Sequence, residues 1–321
     1  MAVYTHVDHD ELEALLDAYD IGRLTAIKGI AEGVENSNYL LQTERGSFIL
    51  TLYERRVRPD DLPFFIGLMR HLSAAGFPCP KPVETRAGEA LGQLSGKRAA
   101  IVTYLFGLSP TRPTPAHCAE LGQGLARLHL AAADFAMTRP NDLSLAGWRR
   151  LADLVAPDAD AVEPGLGAMI LEEMDLLERT WPDDLPVGTI HADLFPDNAF
   201  FISDRLSGVI DFYFACTDAL AYDLAICLNA WCFERDQSFN VTKARALVAG
   251  YRRVRSLSPE ELAALPTLAR GSALRFLLTR LYDWQNKPEG ALVPPQDPLE
   301  YRRKLTFHAG IAHAGAYGID D

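Results

Sequence analysis

The stretch IHADLFPDNAFFISDRLSGVIDF, residues 190–212, decides how this chain is read. It reads as a loop, a short strand, a turn and a second short strand. Asn198 stands five residues after Asp193, and Asp211 stands thirteen after Asn198, closing an apolar strand. Phosphoryl transfer needs groups of these kinds. A carboxylate must orient the attacking hydroxyl and accept its proton, and two further oxygen ligands must hold the metal ions that neutralise the phosphates. Asp, Asn and Pro also favour turns for reasons of their own, so a bare Asp–four residues–Asn spacing says little. The specificity lies in His191, Asp193, Asn198 and Asp211 falling together on loop, strand, turn and strand.

Upstream, the chain is rich in strand signals. A helix is expected over 8–20, with Asp8 as N-cap and Leu12, Leu15 and Leu16 on one face. YLLQTERGSFILTLYE, residues 39–54, reads as two strands joined by a turn at Glu44–Ser47. Asp60–Ala75 has helical spacing through Leu62, Phe65, Leu68, Met69 and Leu72 and stops at Gly76. Pro78, Pro80 and Pro82 force an extended connection, and two strand candidates follow at 91–96 and 98–105. Downstream the pattern is mainly helical, at 116–132, 168–180, 220–232 and 242–254, and in pieces over 258–284. The expected fold is therefore α+β and bilobal, with a small antiparallel β-sheet N-lobe and a mainly helical C-lobe. The boundary is placed in the Gly/Pro cluster of 106–115, giving lobes of 1–106 and 107–321.

Composition sets limits on partners. With 48% apolar and 23% charged residues, the 321-residue chain is of ordinary globular type. A net charge of −12 argues against a nucleic-acid partner, which needs a basic face. No apolar run approaches the roughly 20 residues that cross a bilayer. The N-terminus MAVYTHVDHDELEALLDAYD is polar and acidic, unlike a signal peptide, so a cytoplasmic protein without membrane contact is expected. Cys79, Cys118, Cys216, Cys227 and Cys232 form no CxxC pair and read as reduced core thiols.

An Asp, four residues and an Asn, with a second Asp on the next hairpin, is the spacing of the protein-kinase catalytic loop. At these residues the chain resembles the aminoglycoside phosphotransferase and choline kinase superfamily of kinase-like enzymes. The resemblance implies an ATP- and Mg²⁺-dependent phosphotransferase with the nucleotide in the interlobe cleft. It makes Asp193 the catalytic base, His191 a brace of the loop, and Asn198 and Asp211 the Mg²⁺ ligands, with Asp197 a plain loop residue. It places Gly33, Val34, Glu35, Asn36, Ser37 and Asn38 in the loop over the phosphates, where a glycine lets backbone amides approach. A plain hairpin turn is the competing reading there. It also places Tyr104, Leu105 and Phe106 at the interlobe hinge that meets adenine.

One position departs from the superfamily. Relatives carry a phosphate-positioning Lys in the third small-lobe strand, paired with a helical Glu. Here Thr51 and Phe65 fall at about those positions. Losing both is coherent, because either charge alone would be unpaired. Arg55 or Arg56 could supply a cation or simply be surface charge. The competing class is a catalytically inactive nucleotide-binding module, and retention of Asp193, Asn198 and Asp211 weighs against it.

GVENSNYLLQTERGSFILTLYE and EGALVPPQDPLEYRRKLTFH, the latter at 289–308, resemble the kinase-like homoserine kinases, including the Thr in the Lys position. That resemblance covers nearly the whole chain. It implies transfer of the ATP γ-phosphate to the hydroxyl of the small molecule L-homoserine, in threonine biosynthesis; kinases of choline, aminoglycosides or sugars are the alternatives. Candidates for gripping the substrate's amino and carboxylate groups are Asp223, Arg275, Arg280 and Asp283. Each has a structural alternative: a buried anchor for Asp223, a structural role for the arginines, or a surface pair for Arg280 and Asp283. His129 reads as a packed helix residue.

Overall fold

The computed structural model describes residues 5–30, 36–54, 57–287 and 295–319. The chain divides into two compact units: Met1–Gly107 with Phe135–Met137 and Ser207–Tyr213, and the remainder.

The first unit is built on an antiparallel sheet of five strands in the order β1-β2-β3-β5-β4: β1 Leu24–Ile30, β2 Ser37–Thr43, β3 Gly46–Leu52, β4 Leu91–Leu94 and β5 Lys97–Thr103. In β2, every second residue (Ser37, Tyr39, Leu41, Thr43) is buried, the period-two pattern of a sheet with one covered face. Leu41, Leu50, Leu52 and Ile101 meet Leu12 and Leu16 of helix α1 (His9–Leu16) in the core. Asp8 caps α1 by accepting the amides of Asp10 and Glu11. Helix α2 (Leu62–Ala74) buries Phe64, Phe65, Leu68, Met69 and Leu72. It runs out at Gly76, whose φ of 79° suits a residue without Cβ. β1 has no apolar alternation, because as an edge strand five of its seven residues are exposed. Its main-chain pairing to β2, the Thr25 hydroxyl on the Gln42 carbonyl (3.0 Å) and the packing of Leu24 on the core hold it.

The second unit carries helices α3 (Pro115–Ala131), α4 (Leu145–Ala159), α5 (Leu166–Thr180), α6 (Leu220–Trp231), α7 (Val241–Arg252), α8 (Pro259–Gln285) and α9 (Leu299–Ala309). Strand β6 (Val187–Ile190) pairs with β9 (Cys216–Ala219), and β7 (Ala199–Ile202) pairs with β8 (Arg205–Val209) as a hairpin. Helix α8, expected in pieces, is one helix of 27 residues that runs through Pro266. An interior proline costs about 3 kcal/mol, but Leu265, Leu268, Leu274, Leu277, Leu278 and Leu281 are fully buried, and that burial outweighs it. Helices α3 and α7 cross closely: a Cβ at Gly122 would stand 2.0 Å from the Leu247 carbonyl oxygen. All five cysteines are buried and free. Among the described residues no helix is long and apolar enough to cross a membrane.

Candidate active site

Strand β6 ends at Ile190 and delivers the chain into the loop of His191–Asn198. Ala192 has φ 62°, a left-handed backbone that a non-glycine residue adopts at a cost of about 1 kcal/mol or more. Its peptide groups are held on both sides. Asp223, in the first turn of α6, accepts the amides of His191 (2.7 Å) and Ala192 (2.9 Å). From α8, the Arg275 guanidinium donates to the Ala192 carbonyl. The same guanidinium lies against the rings of Phe276 (4.5 Å) and Phe214 (5.6 Å).

Asp223 is anchored from behind. His129 Nε2 on α3 is 3.1 Å from its carboxylate, and His129 Nδ1 is 2.8 Å from the Tyr251 hydroxyl on α7. Arg255 donates to that hydroxyl (3.3 Å) and to Glu261 (2.8 Å). Burial pushes the Asp223 carboxyl up, but the bond from His129 and the charges and amide around it prevail and hold it below the usual carboxylate range. The close α3–α7 crossing brings the helices of His129 and Tyr251 together.

Within the loop, the Asp193 amide donates to His191 Nδ1 (3.2 Å), which assigns the imidazole proton to Nε2. Asn198 Nδ2 donates to the Asp193 carbonyl (2.8 Å) and stands 3.4 Å from the Asp193 carboxylate. A 3₁₀ turn at Pro196–Asn198 makes that return possible. Trp231 Nε1 donates to the Leu194 carbonyl (2.8 Å). Asp193 and Asn198 are half-buried and Asp197 is exposed. A cavity of about 390 Å³ lies beside the loop, bordered by Ser109, Pro110, Pro196, Asp197, Trp231 and Phe233.

Asp211 follows β8, half-buried, with φ 64°. Two residues on, the Tyr213 hydroxyl is 3.2 Å from that of Tyr53. Its ring stands edge-on to Tyr53 (5.4 Å) and to Phe65 of α2 (5.7 Å). Burial pushes the Tyr213 phenol up to about 12, and the Asp211 charge adds to the rise. Phe65, expected near the position of a helical Glu, is therefore part of an aromatic cluster. Thr51, expected at the position of a Lys, donates to Asn38 Oδ1 (2.8 Å), directly across the β2–β3 ladder.

The remaining sequence candidates divide. Gly33, Val34, Glu35, Arg55 and Arg56 lie outside the described residues. Ser37 and Asn38 open β2 rather than sitting in a loop. The buried side chains of Asn36 and Ser37 turn to Glu54: Asn36 Oδ1 accepts its amide (3.2 Å) and Ser37 donates to its carboxylate (2.8 Å). Both side chains are thereby engaged inside the unit. Tyr104 and Phe106 are exposed, and the Phe106 carbonyl accepts the Ser207 hydroxyl (2.8 Å). Asp223 and Arg275, expected to face substrate, are instead buried positioning residues of the Asp193 loop. Arg280 reaches Glu300 of α9 (2.6 Å) and Asp283 is half-buried. Sequence reading missed Tyr213, Glu300, Tyr301 and Lys304. None interrupts its local pattern, so no signal marked them.

The chain matches the phosphotransferase enzyme family over residues 26–257. It is 65% identical to a homoserine kinase of Xanthobacter autotrophicus and 63% identical to one of Rhodospirillum rubrum, with 99% of each chain covered in both cases. Among solved structures it resembles an amicoumacin kinase in complex with AMP-PNP, Ca²⁺ and amicoumacin, with TM-score 0.69, 15% identity, and 94% of this chain and 92% of that one covered. It also resembles a microcompartment-associated aminopropanol kinase, with TM-score 0.67, 20% identity and coverage of 94% and 95%. At such identities the structural likeness establishes the fold.

Proposed function

The chain belongs to the phosphotransferase enzyme family, among its homoserine kinases, and we propose that it transfers the γ-phosphate of ATP to the side-chain hydroxyl of L-homoserine, giving O-phospho-L-homoserine and ADP. The relatives supply the substrate, which fits a step of threonine biosynthesis. One observation carries the chemistry: the Asn198 amide clasps the main chain of Asp193. That bond presents a carboxylate and an amide oxygen on one short loop, which a buried carboxylate and a buried guanidinium hold from behind.

The Asp193 carboxylate orients the homoserine hydroxyl and takes its proton as the new oxygen–phosphorus bond forms. The bond from the γ-phosphorus to the β–γ bridging oxygen breaks, and its electron pair leaves on ADP. His191 braces the loop through the Asp193 amide. Asn198, with Nδ2 engaged, keeps its amide oxygen for a cation, and Asp211 adds a carboxylate. This all-oxygen pair suits Mg²⁺. Among the described residues no group of three or more His, Cys, Asp or Glu is placed to hold a metal, so Asn198 and Asp211 would hold the Mg²⁺ together with groups from outside the chain. Bound Mg²⁺ neutralises charge on the phosphates. The Gly33–Asn38 segment, Thr51 and the backbone of Tyr104, Leu105 and Phe106 serve the nucleotide.

The test is ADP release with Mg²⁺ and ATP, comparing L-homoserine with choline, kanamycin, L-serine and no acceptor. Stimulation by L-homoserine, with O-phosphohomoserine formed, is the expected result. Activity on another alcohol alone would overturn the substrate, and silence on every acceptor would overturn the enzyme.

A further inference from the structure

In the second unit, helices α8 and α9 build a polar cluster that the transfer step does not use. The Tyr301 ring is fully buried and has a cation on each of two contacts: the Arg280 guanidinium 4.5 Å and the Lys304 ammonium 4.4 Å from its centroid. Glu300 accepts from Arg280 (2.6 Å) and from Lys304 (2.7 Å). Glu300 thus faces both cations, and Arg280 also donates to the Asp297 carbonyl (3.1 Å). The Tyr301 hydroxyl oxygen is buried, yet it has no hydrogen-bond partner among the described residues. Native structures rarely leave such a group unpaired unless something outside the chain pairs with it. Burial, with the charges of Glu300 and Asp193 contributing, pushes the Tyr301 phenol up, so at neutral pH it remains a donor.

The cluster adjoins the catalytic loop. The Tyr301 ring packs on Phe276 (5.1 Å), and Phe276 packs on Phe195 of the loop (4.9 Å). In an extended homoserine the hydroxyl oxygen and the carboxylate carbon are about 5 Å apart, so a group that orients the one must stand near a group that grips the other. A donor hydroxyl with a guanidinium beside its ring can recognise a carboxylate.

We propose that this cluster binds the α-carboxylate of the amino-acid substrate, with the Tyr301 hydroxyl donating to a carboxylate oxygen and Arg280 providing the counter-charge. The inference rests on the amino-acid kinase reading above. It makes Tyr301 and Arg280 the residues that separate homoserine from amino alcohols lacking the carboxylate.

The experiment compares L-homoserine with 3-aminopropan-1-ol, the same molecule without its carboxylate, in the full-length protein and in Tyr301→Phe, Arg280→Met and Arg280→Lys. The ratio of kcat/KM for the two substrates is expected to fall roughly 10-fold in Tyr301→Phe and roughly 100-fold in Arg280→Met. Arg280→Lys should recover part of the loss, and the KM for ATP should stay within about twofold. Calorimetric binding of L-homoserine should weaken in parallel, and this readout does not need turnover. Equal loss on both substrates, or a ratio unmoved in Tyr301→Phe, would overturn the carboxylate assignment. Binding of L-homoserine that depends on Arg280, without phosphorylation, would uphold the assignment and overturn the activity instead.

Discussion

Ala192 and Asp211 both carry a left-handed backbone without being glycine, with φ of 62° and 64°. Each lies at or beside a group proposed to handle phosphate or metal, yet the surroundings differ in kind. Ala192 is held by polar groups: Asp223 on its amide, Arg275 on its carbonyl, and His129, Tyr251, Arg255 and Glu261 in a chain behind them. Asp211 precedes an aromatic cluster of Tyr213, Tyr53 and Phe65, in which the Tyr213 and Tyr53 hydroxyls stand 3.2 Å apart. A buried polar network loses a great deal when one member is removed, because its partners are left unpaired. Ring packing is non-directional and tolerates the loss of a polar atom. The two strained positions should therefore respond differently to substitution.

The largest effect belongs to the group the polar network presents. Asp193→Ala should lower homoserine-dependent turnover roughly 10³-fold or more, while the thermal midpoint stays near that of the parent, since the carboxylate is half-buried at the loop surface. Unchanged turnover in a folded variant would remove Asp193 from the chemistry. Next is the anchor itself. Asp223→Asn replaces an acceptor of two amides, and denaturant titration should show a loss of about 3 kcal/mol, with activity falling alongside. The Asp223 carboxyl lies below its unfolded value of 3.8, so its contribution is fully present above that value. It is lost as pH falls through the folded pKa, and acid titration of the variant should lack that component. The smallest effect is on the aromatic side: Tyr213→Phe keeps the ring and removes one hydroxyl, at a cost of about 1 kcal/mol. A loss there as large as that in Asp223→Asn would erase the contrast between the two regions.

Much of the fold was legible because amphipathic periodicity follows from burial on one side. The strand pair of β2 and β3, and helices α1, α2, α3, α6 and α7, came from that pattern. β1 was not legible, since an edge strand held by main-chain bonds leaves no apolar alternation. α8 was expected only in pieces, and the burial of its leucines carries one helix through Pro266. Asp193, Asn198 and Asp211 were proposed from spacing, and the structure sets the first two on one loop and the third just after β8. Asp223 and Arg275 stood as substrate candidates with a structural role as the alternative, because a sequence does not say which way a buried charge points.

The sequence by itself determined the strand-rich and helical halves, the Asp–Asn–Asp spacing and the absence of a Lys at Thr51, since each is a matter of residue type and local distance. Only the tertiary structure decided that Asp223 and Arg275 clamp the Ala192 peptide, that Phe65 joins Tyr53 and Tyr213, and that Arg280 and Lys304 both approach the Tyr301 ring, whose hydroxyl has no hydrogen-bond partner among the described residues. Those contacts join residues tens of positions apart or more, or turn on the direction of a side chain, and both are set when helices and strands pack, not by the order of residues along the chain.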